Sequence, residues 1–260
     1  MSSRITRAAA RNAARSICRR SLDVLGAPGV RLSMTLGTVF CMTGAAAVLL
    51  IPNAICAAAY GISEEPPWLM PATWCVAFLL LSPMLAGFMR MAKSAAFTSS
   101  AGLWLLFEPY SSPGAWLAAC AGMLLVVLRW VMPVLPAVYF AATTGMSWRL
   151  WLSIPAALLW MRYARVLSVA AHRLMTDGFG APRSGGGNIF ERTFRQRRIY
   201  AAVALRGIPL CLLSVASVLT LFVFHTIPLF AVRTVMTECG DAAVPNAEND
   251  KILSVSTEMI

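Results

Sequence analysis

From Leu32 to Tyr60 the chain runs 29 residues without a charged side chain. A hydrocarbon layer about 30 Å thick is crossed by about 20 helical residues rising 1.5 Å each, so a run of this kind predicts a membrane-spanning helix. Further apolar runs follow, which makes the expected fold an all-α, polytopic transmembrane helical bundle. Hydrophobic residues make up 58% of the 260 and charged residues 13%. An ordinary soluble domain carries roughly 25% charged residues, so the composition points the same way.

Five spans are expected, at about 32–60, 68–89, 113–140, 148–167 and 207–232, with counts of four to six open. They divide the chain into a basic amphipathic segment at 1–31, a transmembrane domain at 32–236 and an acidic tail at 237–260. The fourth span is the shortest, since only 12 residues, Leu150 to Met161, are free of charge. Twelve residues make about 18 Å of helix. Arg149 at one end and Arg162 and Arg165 at the other extend that reach by directing their long stems toward the two headgroup layers.

Charge placement orients the spans. Seven arginines precede the first span, and seven more, from Arg173 to Arg206, follow the fourth; Arg90 and Lys93 follow the second. Glu64 and Glu65 follow the first span, and the tail after the fifth is acidic. Basic loops stay in the cytoplasm. Five spans with the N-terminus inside and the C-terminus outside satisfy every loop, and losing the fourth would put the loop richest in arginine on the wrong face.

The net charge of +11 is carried by 20 Arg and 2 Lys. In a chain this apolar, such an excess is expected to meet anionic lipid at the cytoplasmic face rather than nucleic acid; no basic stretch is interleaved with aromatics as a base-stacking surface would be. Arg4, Arg7, Arg11 and Arg15 recur at helical spacing, predicting a retained surface helix. The same arginine-rich, acid-free start resembles a mitochondrial transit peptide, which leaves the inner mitochondrial membrane as the alternative location. The stretch DGFGAPRSGGGN, 177–188, reads as a flexible turn; it lacks the Gly-Lys-Ser/Thr ending of a phosphate loop. A second basic helix is expected at about 189–206, and a further surface helix within 94–112.

No catalytic constellation emerges. His172 and His225 lie apart with no metal-ligand spacing, no carboxylate falls within a predicted span, and the seven cysteines form no CxxC pair. Glu64-Glu65 is followed by two prolines and lacks the nearby arginine that paired glutamates of intramembrane prenyl-type proteases have. The expectation is no enzyme, no cofactor and no metal. One candidate polar site stands out. Arg129 lies 15 residues past Gly114, inside LLVVLRWVMPVLP. An arginine at that depth costs roughly 2.5–3.5 kcal/mol even on insertion scales. Pro133 and Pro136 remove the amides that would have bonded the carbonyls of Arg129 and Met132, leaving acceptors for that arginine or for a ligand. Alternatively, Arg129 marks a helix end at the interface.

Two segments, LWLLFEPYSSPGAWLAACAGMLLVVLRWVMPVLPAVYF and RTFRQRRIYAAVALRGIPLCLLSVASVLTLFVFHTIPLF, resemble a family of uncharacterised multi-pass integral membrane proteins of Firmicutes. The likeness covers about 86–239, although this chain has Met-Pro-Val where the family has Ile-Pro-Gly. The resemblance implies a bacterial plasma membrane and no particular reaction. The function expected from all this is a non-enzymatic accessory, assembly or partner-binding role, with protein partners or a homo-oligomer. The alternative is a small transporter or permease component for an anionic solute, with Arg129 in the proline-broken third span.

Overall fold

A computed structural model describes residues 7–60, 68–144, 148–179, 198–209 and 220–239. The segments at 61–67 (with Glu64 and Glu65) and 180–197 (most of the glycine-rich stretch and the start of the second basic helix) lie outside the described residues, as does the tail from 240. Among the described residues the chain is all helix. In order these are α1 (Arg7–Gly26), α2 (Pro28–Tyr60), α3 (Leu69–Thr98), α4 (Pro113–Val131), α5 (Leu135–Thr144), α6 (Trp148–Tyr163), α7 (Arg165–Asp177), α8 (residues 198–209) and α9 (Thr220–Cys239). Three of them, α2, α3 and α4, are long and apolar enough to cross a membrane; a fourth crossing is possible if α6 and α7, separated by a bend, count as one.

Helices α2 and α3 form an antiparallel pair. Gly37 takes Phe88 and Met91, and Gly44 takes Met84, so numbers fall along one helix as they rise along the other. The small residues let the backbones approach until Met34 and Met91 are fully buried. Hydroxyl and amide side chains on these helices bond back to their own turns: Thr38 to the Met34 carbonyl at 2.9 Å, Thr43 to Val39 at 2.8 Å, Asn53 to Leu49 at 2.8 Å. Their polarity is satisfied locally, which is how such groups are tolerated in an apolar helix.

The surface helix expected within 94–112 takes a different form. Helix α3 continues to Thr98 and ends at Ser99 with φ 54°. The chain then folds back along α3 through two short 3-10 turns, Leu103–Leu106 and Glu108–Tyr110. Pro109 and Pro113 disfavour α geometry in the residues before them, which breaks the stretch into turns. A Cβ on Gly87 would overlap the Leu106 backbone, so only glycine admits this return path. Ser112 then caps α4, accepting from the Ala115 amide at 3.3 Å, with Pro113 at the first helical position.

The return has a consequence for α4. Trp116 meets α3 at Leu79, and Ala119, Met123 and Val126 pack farther along, in a cluster with Ala86 and Met89. The contacts rise together, so α4 runs in the same direction as α3 where they touch. Helix α7 packs on α4, with Ala171, Leu174 and Met175 over Gly122.

Helix α1 does not lie alone on a surface. Ala10, Ala14, Ile17 and Ser21, at helical spacing, are buried against the bundle, while Arg11, Arg15, Arg19 and Arg20 face outward. Their neighbours in the main core are Ala92, Ala95 and Ala96 of α3 and Val232, Val235 and Met236 of α9. The last turns of α9 therefore sit at the end of the α2–α3 pair where α2 begins and α3 finishes. The expected fifth span, 207–232, is not one straight helix. Gly207 of α8 lies against Phe230 of α9, whereas 23 helical positions would separate them by about 34 Å. Helices α8 and α9 instead pack together, with Ile199 and Val235 in the same core.

Candidate functional site

Several helices carry an internal proline, and at two proline-opened carbonyls a tryptophan supplies the missing donor. A proline at position i has no amide, so the carbonyl at i−4 loses its helical donor. In α3, Pro83 frees the Leu79 carbonyl, and the Trp116 indole N–H donates to it at 3.1 Å. At the end of α4, Pro133 frees the Arg129 carbonyl, and the Trp160 indole N–H donates to that one, also at 3.1 Å. Tyr110 adds a further bond to a backbone carbonyl, its hydroxyl donating to the Leu80 carbonyl, whose own i+4 residue is Met84 and not a proline. Each bond crosses from one segment to another: α4 to α3, α6 to α4, and the return segment to α3.

Of the sequence-predicted site residues, Arg129 lies in the last turn of α4, half-buried. A cation there offsets the negative end of the helix dipole. Pro133 falls in the break between α4 and α5, and Pro136 in the first turn of α5, where a missing amide costs nothing. The expected third span, 113–140, is thus two helices joined at 132–134, broken where the prolines stand. The Arg129 side chain lies beside the Trp130 ring, 5.3 Å from its centroid, and near His172 of α7. Arg165, at the start of α7, stacks on Tyr200 of α8 with 3.3 Å from its guanidinium carbon to the ring centroid. Arg129 thus meets His172 from the end of α4, and Arg165, two turns before His172 on α7, meets Tyr200. The side chain of His225 lies outside the described residues.

A second polar group ties the end of α3 to its neighbours. Arg90 pairs with Glu108 at 3.1 Å and donates to the Met175 carbonyl at the end of α7, also at 3.1 Å. Lys93 pairs with Asp177. The Arg90 side chain is 12% exposed and Glu108 37%, so the pair is anchored at one end and solvated at the other. These links join the ends of α3 and α7, the two predicted cytoplasmic ends.

A third polar group was missed by sequence reasoning. Arg233 on α9 is 5% exposed, and its Nε donates to Ser21 Oγ of α1 at 3.1 Å. Its Nη1 is buried with no hydrogen-bond partner among the described residues. In sequence it is one cation just past an apolar run, indistinguishable from an ordinary interfacial arginine. Beside it, between α1, the start of α2 and α9, lies a cleft of about 270 Å³ lined by Leu22, Leu25, Arg31, Thr35 and Leu229 among others.

Among the described residues no group of three or more His, Cys, Asp or Glu side chains is placed to hold a metal. Comparison with protein families, curated proteins and solved structures found no match.

Proposed function

We propose that the protein is a multi-pass integral membrane protein whose role is to hold partners within the bilayer rather than to carry out a reaction. The observation that carries this reading is the division of its side chains. Polar and charged groups at helix contacts are spent on bracing one helix against another, through Trp116, Trp160, Arg90–Glu108 and Lys93–Asp177. Large apolar groups face out, among them Phe40, Leu50, Ile51 and Ile55 on α2 and Leu117, Leu124 and Trp130 on α4. Lipid tails or the spans of another protein cover such faces equally well. The resemblance to the Firmicutes family supports a bacterial plasma membrane as the site.

The arrangement proposed has both described ends on one face. Ser21 stands before the first span and Arg233 after the last apolar run, and the hydrogen bond between them supports an even number of crossings in between. In this reading the count is even rather than the five expected from sequence, and α1, the end of α3, the end of α7 and the end of α9 lie together on the cytoplasmic side, where arginines are retained.

An anion carrier built around Arg129 is the second reading, favoured by the proximity of Arg129 to His172 at the broken end of α4. Purified protein in liposomes separates the two. The scaffold reading predicts anion flux equal to that of protein-free liposomes. Flux that Arg129→Leu abolishes would overturn it in favour of the carrier.

A further inference from the structure

The cleft between α1, α2 and α9 has the chemistry of one end of a lipid. Its walls, Leu22, Leu25 and Leu229, are apolar, and Leu22 is 55% exposed, so the cleft opens on the surroundings. Arg31 lines it and is the last charge before the uncharged run of α2 begins. Hydropathy therefore sets Arg31 at headgroup depth, with the apolar walls reaching toward the hydrocarbon. Arg233 lies one turn past Leu229 on the same face of α9 and is held against Ser21, the neighbour of Leu22. Its Nη1 is buried with an unused donor among the described residues. A buried, partly unpaired guanidinium is costly unless an anion answers it.

A cavity of about 270 Å³ is small beside the roughly 300–1,000 Å³ of a site that encloses a whole ligand. It fits the headgroup and upper chain of a lipid whose remainder lies along the outer surface of α2. We propose that this cleft binds an anionic phospholipid of the cytoplasmic leaflet. Its phosphate is bound by Arg31, with Arg233 adding positive charge from behind, and the first methylenes lie along Leu22, Leu25 and Leu229. The inference rests on the membrane reading above and adds a specific ligand class to it.

The test uses the full chain extracted in a zwitterionic detergent. Thermal unfolding and native mass spectrometry are recorded with added phosphatidylglycerol, phosphatidylcholine or inorganic phosphate. Phosphatidylglycerol is expected to stay bound and raise the unfolding temperature, phosphatidylcholine and inorganic phosphate to do neither. A charge-assisted contact is worth enough that Arg31→Gln weakens phosphatidylglycerol binding about tenfold. Leu22→Asp, which sets a negative charge at the mouth of the cleft, has the same direction of effect. Arg20→Gln, which removes an exposed cation of α1 outside the cleft lining, leaves binding unchanged. Equal retention of both lipids, full stabilisation by inorganic phosphate, or equal losses in Arg20→Gln and Arg31→Gln would each overturn the site. Protein that partitions into the soluble fraction without detergent would overturn the membrane reading itself. Membrane-extracted protein with no lipid preference would overturn only the cleft.

Discussion

Replacing Trp116 by Phe keeps a ring at the α3–α4 contact and removes the N–H that serves the Leu79 carbonyl. That carbonyl is exposed to a vacancy only because residue 83 is proline, so the two positions are coupled through one acceptor. A net hydrogen bond is worth about 0.5–1.5 kcal/mol, and interhelical bonds measured in membrane proteins average about 0.6. Phe also loses contact area, so Trp116→Phe is expected to cost about 1–2 kcal/mol in the native background. Pro83→Ala supplies the missing amide within α3 and makes the indole donor redundant. In that background Trp116→Phe loses only the packing part, and the coupling energy of the cycle equals the hydrogen bond, about 0.6–1.5 kcal/mol. Reversible unfolding of the four proteins in mixed micelles, titrated with a denaturing detergent, measures it. Straightening of α3 by Pro83→Ala affects both arms and cancels. A coupling below about 0.3 kcal/mol, the ordinary scatter of additive sites, would refute the assignment of Trp116 to the proline-opened carbonyl.

The matching cycle at Pro133 and Trp160 is expected to behave alike, with a coupling of the same sign in the same assay. Gly87→Val forces a side chain into the Leu106 backbone and is expected to cost about 3 kcal/mol or prevent monodisperse purification, as overpacking does. Gly29→Ala, with open space around it inside α2, is expected instead to raise stability by about 0.4–1 kcal/mol. Ser21→Ala strips the acceptor from buried Arg233 and is expected to cost about 1–3 kcal/mol, read from the same unfolding titration. Lys93→Met removes an ion pair whose partners are about one-third exposed and is expected to change stability by less than about 1 kcal/mol.

The long helices were readable because the length of an uncharged run is a physical quantity. Both α2 and α3 begin within a few residues of where the charge-free runs suggest, although α3 continues past Arg90 and Lys93 to Thr98 because those side chains find Glu108 and Asp177. The break at 132–134 was also readable, since Pro133 and Pro136 remove amides wherever the chain goes. The donor that answers the freed carbonyl was not readable: nothing local distinguishes Trp160 from the other seven tryptophans. The path of the chain around the expected last span was not readable for a related reason. Hydropathy sees 207–232 as one apolar stretch, but Gly207 of α8 lies against Phe230 of α9, a contact that a sliding window averages away. Arg233 was missed because its burial depends on α1, more than two hundred residues earlier in the chain.

The proposed arrangement puts the start and finish of the helical region on one face of a bilayer. Cys18 on α1 and Cys239 at the end of α9 are natural reporters once the remaining cysteines are replaced. Labelling each single-cysteine protein with a membrane-impermeant maleimide, in intact cells and again after permeabilisation, reads their sides directly. Both are expected to react only after permeabilisation. Labelling of Cys239 in intact cells while Cys18 stays protected would contradict the shared face and restore an odd number of crossings.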